Sequence, residues 1–288
     1  MPELPEVETV RRGLEPMLAG RRIRDVELRR PDLRFPLPPG FAERLCGRRV
    51  ETVGRRAKYV LIGLDDGATW MVHLGMSGRF TFAPGIHASS GQAGHNSGWA
   101  LVGRHDHVLV TMEDGLRVTY NDPRRFGFMD LIAADALDTH PRLADLGPEP
   151  LSDAFDGAYL SAALSGRRTS IKAALLDQHL VAGIGNIYAC EALFEAGISP
   201  RRQAATVAGS RADRLAERIK DVLTRAIAAG GSSLRDYRQA DGELGYFQHA
   251  WRVYGREGEA CPEPDCGTSI QRIVQAGRST FYCARHQR

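Results

Sequence analysis

The chain opens Met1-Pro2-Glu3-Leu4-Pro5-Glu6, and removal of the initiator methionine ahead of proline leaves Pro2 as an N-terminal secondary amine. Attack of such an amine on a sugar C1′ gives an iminium ion that cannot discharge by losing a proton from nitrogen. It therefore acts as an electron sink, acidifies the C2′ proton and opens a route to β-elimination. An α-amino group titrates at about 7.7–8.0, so a neutral fraction exists near physiological pH, and Glu3 stands beside it to move protons. The plainer reading is that Pro2 and Pro5 only start a helix. Leu4, Val7, Val10, Leu14 and Leu18 recur every three or four residues and Gly20 follows, which predicts an amphipathic helix over residues 5–19. The two readings are compatible: the helix's positive end lowers the amine's pKa, while Glu3 and Glu6 push it up.

A second group of chemistry-bearing residues closes the chain. Cys261, Cys266, Cys283 and His286 form a Cys-x4-Cys pair and a Cys-x2-His pair around a basic segment. That spacing predicts a structural zinc site of Cys3His type holding one ion and a hairpin too small to fold alone; reduced, unliganded cysteines are the alternative. Cys46 and Cys190 have no companions and read as small buried apolar residues. Between the termini, Gly183-Ile184-Gly185-Asn186 lets backbone approach a ligand and then opens a helix. The segment reads as a phosphate cradle with Lys172 as its partner, or as a simple change of chain direction. Asn121-Asp122-Pro123-Arg124-Arg125-Phe126-Gly127 sets two guanidinium groups beside an aromatic on a proline-started turn. It suits wedging into a base stack and reading a base edge, or equally a buried Phe126 flanked by surface charges.

The elements that must position these groups change character along the chain. From Arg22 to about Leu131 short apolar runs are cut by Gly, Pro and Asp, and Asp65-Asp66-Gly67 and Glu113-Asp114-Gly115 mark hairpins; an antiparallel sandwich or barrel follows. The Gly/Ser/His-rich stretch 84–98, with His87 and His95, reads as a mobile surface insertion rather than a metal site. Leu146-Gly147-Pro148-Glu149-Pro150-Leu151 reads as a linker. Beyond it the period becomes helical, with helices expected over 170–178, 186–196 and 212–229 and stops at Gly197 and Gly230. The expected domains are 1–146, 147–256 and 257–288.

With 288 residues, 43% of them hydrophobic, the chain can bury substantial cores. It holds no apolar run long enough to span a membrane, and its first twenty residues are too charged for a signal peptide, so a cytosolic protein is expected. The net charge of +3 permits a nucleic-acid partner without demanding one. Residues 267–288 carry Arg272, Arg278, Arg285 and Arg288 with no acidic residue, a surface suited to phosphates or a solvated arginine-rich face. Lysine occurs only at 58, 172 and 220, which points to Lys58 and Lys172 as places where a compact ammonium is required.

Taken together, Pro2 to Thr9, Arg55-Arg56-Ala57-Lys58-Tyr59, His73-Leu74-Gly75-Met76-Ser77-Gly78, Asp122 to Gly127, Gly183 to Tyr188 and Arg278-Ser279-Thr280-Phe281-Tyr282-Cys283 resemble bacterial formamidopyrimidine-DNA glycosylase, in family order and over nearly the whole chain. The resemblance implies an α+β multidomain chain: an N-terminal two-layered β-sandwich with an N-terminal helix, a helix-two-turn-helix domain and a C-terminal zinc-finger β-hairpin. It implies a bacterial, cytoplasmic monomer that joins the nucleoid when bound to damaged double-stranded DNA. Pro2 would displace an oxidised purine and cut the strand by β,δ-elimination, with Glu3 as acid/base, Lys58 near the lesion nucleotide and Glu6 in support. Met76, Arg124 and Phe126 resemble the residues that fill the gap left by the extruded base. His73, Arg125, Lys172, Asn186, Tyr188 and Arg278 would hold phosphates, and 232–246 would cover the base. The family's zinc site usually has four cysteines with a shorter first spacing, so His286 is a departure. The alternative is an endonuclease VIII-type enzyme acting on oxidised pyrimidines; Leu4 and the Arg124-x-Phe126 arrangement favour the purine branch. A binding protein with a dead site would have to ignore intact Pro2, Glu3 and Lys58.

Overall fold

The computed structural model describes residues 1–83, 103–232 and 245–288; the expected insertion 84–98 and nearly all of the covering segment 232–246 lie outside them. The chain divides into two units. Met1–Pro2, Glu6–His140 and Ser233–Gly245 form the first, and Glu3–Pro5, Pro141–Ser232 and Tyr246–Arg288 form the second.

The first unit takes helix α1 (Leu4–Leu18) from Glu6 onward, then β1 (Ile23–Leu28), a short α2 (Phe41–Leu45), β2 (Val50–Arg56), β3 (Tyr59–Leu64), β4 (Thr69–His73), β5 (Arg79–Ala83), β6 (Asp106–Met112), β7 (Arg117–Asn121) and β8 (Phe128–Ile132). Among the described residues these strands form two four-stranded antiparallel sheets, ordered β1-β6-β7-β5 and β2-β3-β4-β8. Both hairpins expected from Asp-Gly are present. Gly67 and Gly115 take φ of 82° and 88°, and Asp66 and Asp114 each accept a hydrogen bond from the backbone N–H two residues on, as such turns require. One core joins the inner faces of both sheets to Val7, Val10, Leu14 and Leu18 of α1. Trp70 and Phe80 meet edge to face across it, 6.4 Å apart, which makes the unit a sandwich with a helix on its flank.

The second unit contains α3 (Gly157–Leu164), α4 (Ile171–Leu175), α5 (Asn186–Glu195), α6 (Ser210–Ala228) and the hairpin β9 (Gln271–Gln275) and β10 (Arg278–Tyr282). Helix α3, unanticipated from the sequence, is capped by Asp156, whose carboxylate accepts from Tyr159 N at 2.7 Å. Helix α4 is shorter than its apolar period suggested, because the chain turns at Asp177, where Leu180 N donates to Asp177 O at 3.0 Å, and again at Gly183 (φ 84°). Two turns thus separate α4 from α5. The hairpin packs on the helices within the second unit, since Cys190 and Phe194 of α5 share a core with Val253, Cys261, Cys266, Ile270 and Cys283. The buried Glu191 reinforces this join: its carboxylate accepts from the backbone N–H groups of Arg252 (2.8 Å), Val253 (3.1 Å) and Tyr254 (2.8 Å).

In the first unit, Glu8 fastens strand β2 to α1. It accepts from Arg11 and Arg12 on its own helix, each at 3.0 Å, and from Arg55 at 3.1 Å. Burial alone would raise its pKa, but the three guanidinium groups outweigh burial and hold it below the usual value. The unfolded chain therefore takes up this proton first as pH falls. The stability Glu8 contributes is complete above the ordinary glutamate pKa of about 4.3 and is lost as pH falls through the depressed value. Arg55→Ala is expected to cost on the order of 1 kcal/mol at neutral pH and to flatten the acid limb of a Tm-against-pH curve; an unchanged limb would remove Arg55 from this interaction.

Candidate active site and nucleic-acid interface

At the start of α5 the first backbone N–H groups have no partner within the helix and need an acceptor. Glu3 supplies it. Its carboxylate accepts from Ile187 N at 3.0 Å and Tyr188 N at 3.4 Å, while Leu4 N donates to Gly183 O at 3.1 Å. The two glycines before α5 are required by this approach. A Cβ on Gly185 would lie 2.3 Å from the Glu3 carboxyl carbon, and one on Gly183 would lie 2.8 Å from Leu4 Cδ1. The expected phosphate cradle is therefore filled by the chain's own carboxylate, which meets the same demand for negative charge at a helix N-terminus.

Three residues expected to hold phosphates are engaged inside the second unit in this structure. Lys172 is fully buried, and its ammonium donates to Thr280 Oγ1 at 2.7 Å and Ser279 O at 3.2 Å; burial pulls its pKa down. Asn186 Nδ2 donates to Ser279 O at 2.9 Å. The Tyr188 hydroxyl is enclosed and paired with Ser232 Oγ at 3.2 Å. These side chains brace strand β10 and the start of α5 from inside. Arg278, at the outer end of β10, is exposed. It follows the tight turn made by Ala276 (φ 48°) and Gly277 (φ 72°), whose paired positive φ angles match the twist of a two-residue hairpin.

Within the first unit, Pro2, Glu6 and Lys58 are all buried, with Lys58 beside the β2–β3 turn where Ala57 takes φ 51°. His73 stacks on Phe128 with ring centroids 5.1 Å apart and 12° between planes. Its Nδ1 accepts from Gly75 N at 3.0 Å, so the proton of the neutral ring sits on Nε2, which is then a donor suited to a phosphate oxygen. Met76 follows on the same turn and is half-buried. On the neighbouring turn Arg124 lies over Phe126, 5.0 Å from the ring centroid, and Phe126 is 44% exposed. The structure decides between the two sequence readings of this segment: the aromatic is out. A cavity of about 390 Å³ is lined by Leu33, Arg34, Arg124, Arg125 and Phe126. A second of similar size, about 390 Å³, joins Arg125 to Arg29, Arg30, Arg104 and His105. The sequence reading missed these flanking arginines, because they come from separate strands and loops and form no run.

The sulfurs of Cys261, Cys266 and Cys283 lie within 4.8 Å of one another, the one such ligand group among the described residues. Burial raises the Cys283 thiol, but hydrogen bonds from Thr268 and the His286 N–H bring it down to about 7. Burial pushes the Cys261 thiol the other way, up to about 12, so it is the convergence of three cysteine sulfurs that fits one structural zinc ion. His286 stands outside the group of converging ligand atoms. Its Nε2 faces Phe194 O at 2.9 Å and its ring rests 4.8 Å from that of Phe194, so the backbone N–H of His286, and not its imidazole, meets Cys283.

A sandwich unit followed by helices with two turns between α4 and α5 and a zinc-finger hairpin defines a class of multidomain chain, and three family models match it in that order. They are the formamidopyrimidine-DNA glycosylase N-terminal domain over residues 1–129, the formamidopyrimidine-DNA glycosylase H2TH domain over 146–238, and the zinc finger found in FPG and IleRS over 258–285. The chain belongs to the formamidopyrimidine-DNA glycosylase family. It is 59% identical to the formamidopyrimidine-DNA glycosylase of Cereibacter sphaeroides over 288 residues and to that of Azorhizobium caulinodans over 294, covering all of each chain. Among solved structures it is similar to the MutM (Fpg) protein of Thermus thermophilus, with 40% identity, a TM-score of 0.84 and coverage of 99% and 98% of the two chains. It is also similar to the Lactococcus lactis Fpg in complex with abasic-site DNA, with 34% identity, a TM-score of 0.85 and 99% of both chains covered.

Because the zinc-site cysteines share a core with α5, stripping the metal should unsettle more than the hairpin. Chelation, or Cys283→Ser, is expected to lower the Tm by at least about 5 °C, with zinc restoring the chelated wild type. Equal melting of stripped and zinc-loaded protein would deny the metal a structural role.

Proposed function

We propose that this chain is a bifunctional DNA glycosylase and abasic-site lyase of base excision repair that removes oxidised purines, such as 8-oxoguanine and formamidopyrimidines, from duplex DNA in the bacterial cytoplasm, acting as a monomer that joins the nucleoid when bound. The observation that carries this reading is the docking of Glu3 on α5. The residue next to the amine is a carboxylate held in one orientation by Ile187 and Tyr188, as proton transfer in a site requires. Membership of the family supports the reaction class.

While Met1 is attached, the Pro2 nitrogen is an amide and has no lone pair to offer; its removal creates the nucleophile. The amine then bonds C1′, the bond from C1′ to the base breaks, and its electron pair leaves with the base, which takes up a proton. Opening of the sugar at O4′ gives the iminium. Loss of the C2′ proton then expels the 3′ phosphate, and loss of the C4′ proton in a second elimination expels the 5′ phosphate. Glu3 moves the protons at O4′ and C2′, Lys58 supplies a positive charge near the lesion nucleotide, and Glu6 supports the pair. The base must leave the stack before C1′ can be reached. Met76, Arg124 and Phe126 fill the gap, and exposure of Phe126 supports that role. His73 through its Nε2–H, Arg125 and Arg278 hold phosphates. Cys261, Cys266 and Cys283 would hold the zinc ion, and His286 would supply the fourth ligand by turning Nδ1 toward them, since the Phe194 carbonyl that Nε2 faces favours the proton on Nε2 and leaves Nδ1 the lone pair. His286→Ala is then expected to yield zinc to a colorimetric chelator much faster than wild type; equal rates would exclude the imidazole.

Borohydride trapping on a duplex carrying 8-oxoguanine opposite cytosine, with mass mapping, is expected to cross-link Pro2, with little trapping on thymine glycol. Glu3→Gln should lose base removal while keeping DNA affinity. Trapping at another residue, or only on the pyrimidine lesion, would overturn the assignment. Salt titrations separate the two basic residues around β10. Arg278→Ala should reduce the slope of log K against log salt by about 0.9, whereas Lys172→Met, lacking a phosphate to lose, should leave the slope unchanged.

A further inference from the structure

Phe126, Arg124 and Met76 sit on two separate turns, 74–78 and 122–127, and an exposed side chain cannot be fixed by its own burial. What holds them lies underneath. Asp122 is fully buried, and each of its polar groups is engaged. One carboxylate oxygen accepts from Ser77 Oγ at 2.6 Å; the other accepts from Gly127 N at 2.8 Å and, at 3.4 Å, from the Tyr120 hydroxyl. Burial and the neighbouring Asp122 hold the Tyr120 pKa well above its usual value, so this hydroxyl keeps its proton to donate. The Asp122 N–H donates to His105 O at 3.0 Å, and its carbonyl accepts from His107 Nε2 at 2.9 Å and Arg125 N at 3.2 Å. Ser77 completes the link between turns, since its hydroxyl also accepts from Arg124 N at 3.1 Å.

The backbones of the two turns interlock around this carboxylate. A Cβ on Gly75 would lie 2.2 Å from the carbonyl carbon of Phe126, and one on Gly127 would lie 1.9 Å from the Tyr120 hydroxyl. Between Asp122 and Gly127, Arg125 takes φ 55°, a left-handed conformation that is strained for a residue with a Cβ and persists only where its surroundings enforce it. The hydrogen bonds from Arg125 N to the Asp122 carbonyl and from Gly127 N to its carboxylate enforce it, and that bend carries Phe126 outward.

We infer that Asp122, acting with Ser77, is the positioning residue that makes Met76, Arg124 and Phe126 one rigid wedge, so that its contribution falls on base extrusion rather than on bond breaking. The inference rests on the proposed glycosylase and lyase reading. A wedge entering a base stack works against unstacking energy, and a loose one loses part of its insertion energy to ordering itself.

The test separates two substrates. Asp122→Asn keeps the shape and, with its NH2 toward Ser77, keeps the acceptor for Gly127 N. Ser77→Ala cuts the bridge to Arg124 while leaving the carboxylate in place, and serves if the asparagine variant does not fold. Single-turnover base excision from an 8-oxoguanine duplex is expected to slow about tenfold to a hundredfold, while strand cleavage at a preformed abasic site changes less than about threefold. A 2-aminopurine beside the lesion should lose the fluorescence change that reports wedge insertion. In a Phe126→Ala background, Ser77→Ala should add little to the excision defect, since both act on one unit. Equal loss on the two substrates, full excision by a folded variant, or an additive double variant would overturn the inference. Failure of the wild type to process either substrate would instead overturn the functional reading beneath it.

Discussion

A helix that begins inside a protein must find acceptors for its first N–H groups, and α5 finds its acceptor at the other end of the chain. Glu3 meets Ile187 and Tyr188, and that one interaction sets the terms for its neighbours. Gly183 and Gly185 must lack side chains, Leu4 must hydrogen-bond the turn, and α5 must be buried along nearly its whole length. The rest of α5 is committed just as heavily, with Glu191 gripping the backbone before the hairpin and Phe194 resting against the zinc-site residues. The helix that orients the proposed proton carrier is thus the same helix that anchors the metal-bound hairpin.

Buried polar groups in this chain are arranged as struts. Lys172, Glu191 and Asp122 each hold backbone or hydroxyl partners from a segment distant in sequence, and Lys172 and Asp122 each bond the segment that carries exposed arginines, Arg278 in one case and Arg124 in the other. An unpaired buried charge is costly, so every strut needs its full set of partners. The exposed side chains on those segments, Arg278, Arg124 and Phe126, keep their surfaces open to solvent.

Much of the fold was legible in the sequence wherever one local rule decided the outcome. The Asp-Gly hairpins, the period of α1 and α6, the stop at Gly230 and the convergence of three cysteines all follow from spacing. What was missed turns on partners far away. No local pattern says that the amides after Gly185 are occupied by a carboxylate 184 residues upstream, so the segment read as a phosphate site. Lysine scarcity singled out Lys172, which is buried against β10, yet scarcity cannot distinguish a buried ammonium from one facing a ligand. Helix α3 was overlooked because its mixed alanine and serine sequence shows little amphipathic contrast. Asp122 lay in plain sight within its motif, overshadowed by the arginines and the phenylalanine it supports.

The docking of Glu3 also sets a clock on biosynthesis. Pro2 and Glu3 are enclosed in the finished fold, whereas an aminopeptidase that removes Met1 needs a loose, accessible terminus. The receiving amides are made 184 residues after Glu3, which at translation rates of about 5–20 residues per second is on the order of ten seconds or more. During that interval Glu3 has no amide to dock on. The long sequence separation therefore leaves Glu3 undocked while the processing enzyme can act, and the Glu3–Ile187 contact forms only after Met1 can have been removed.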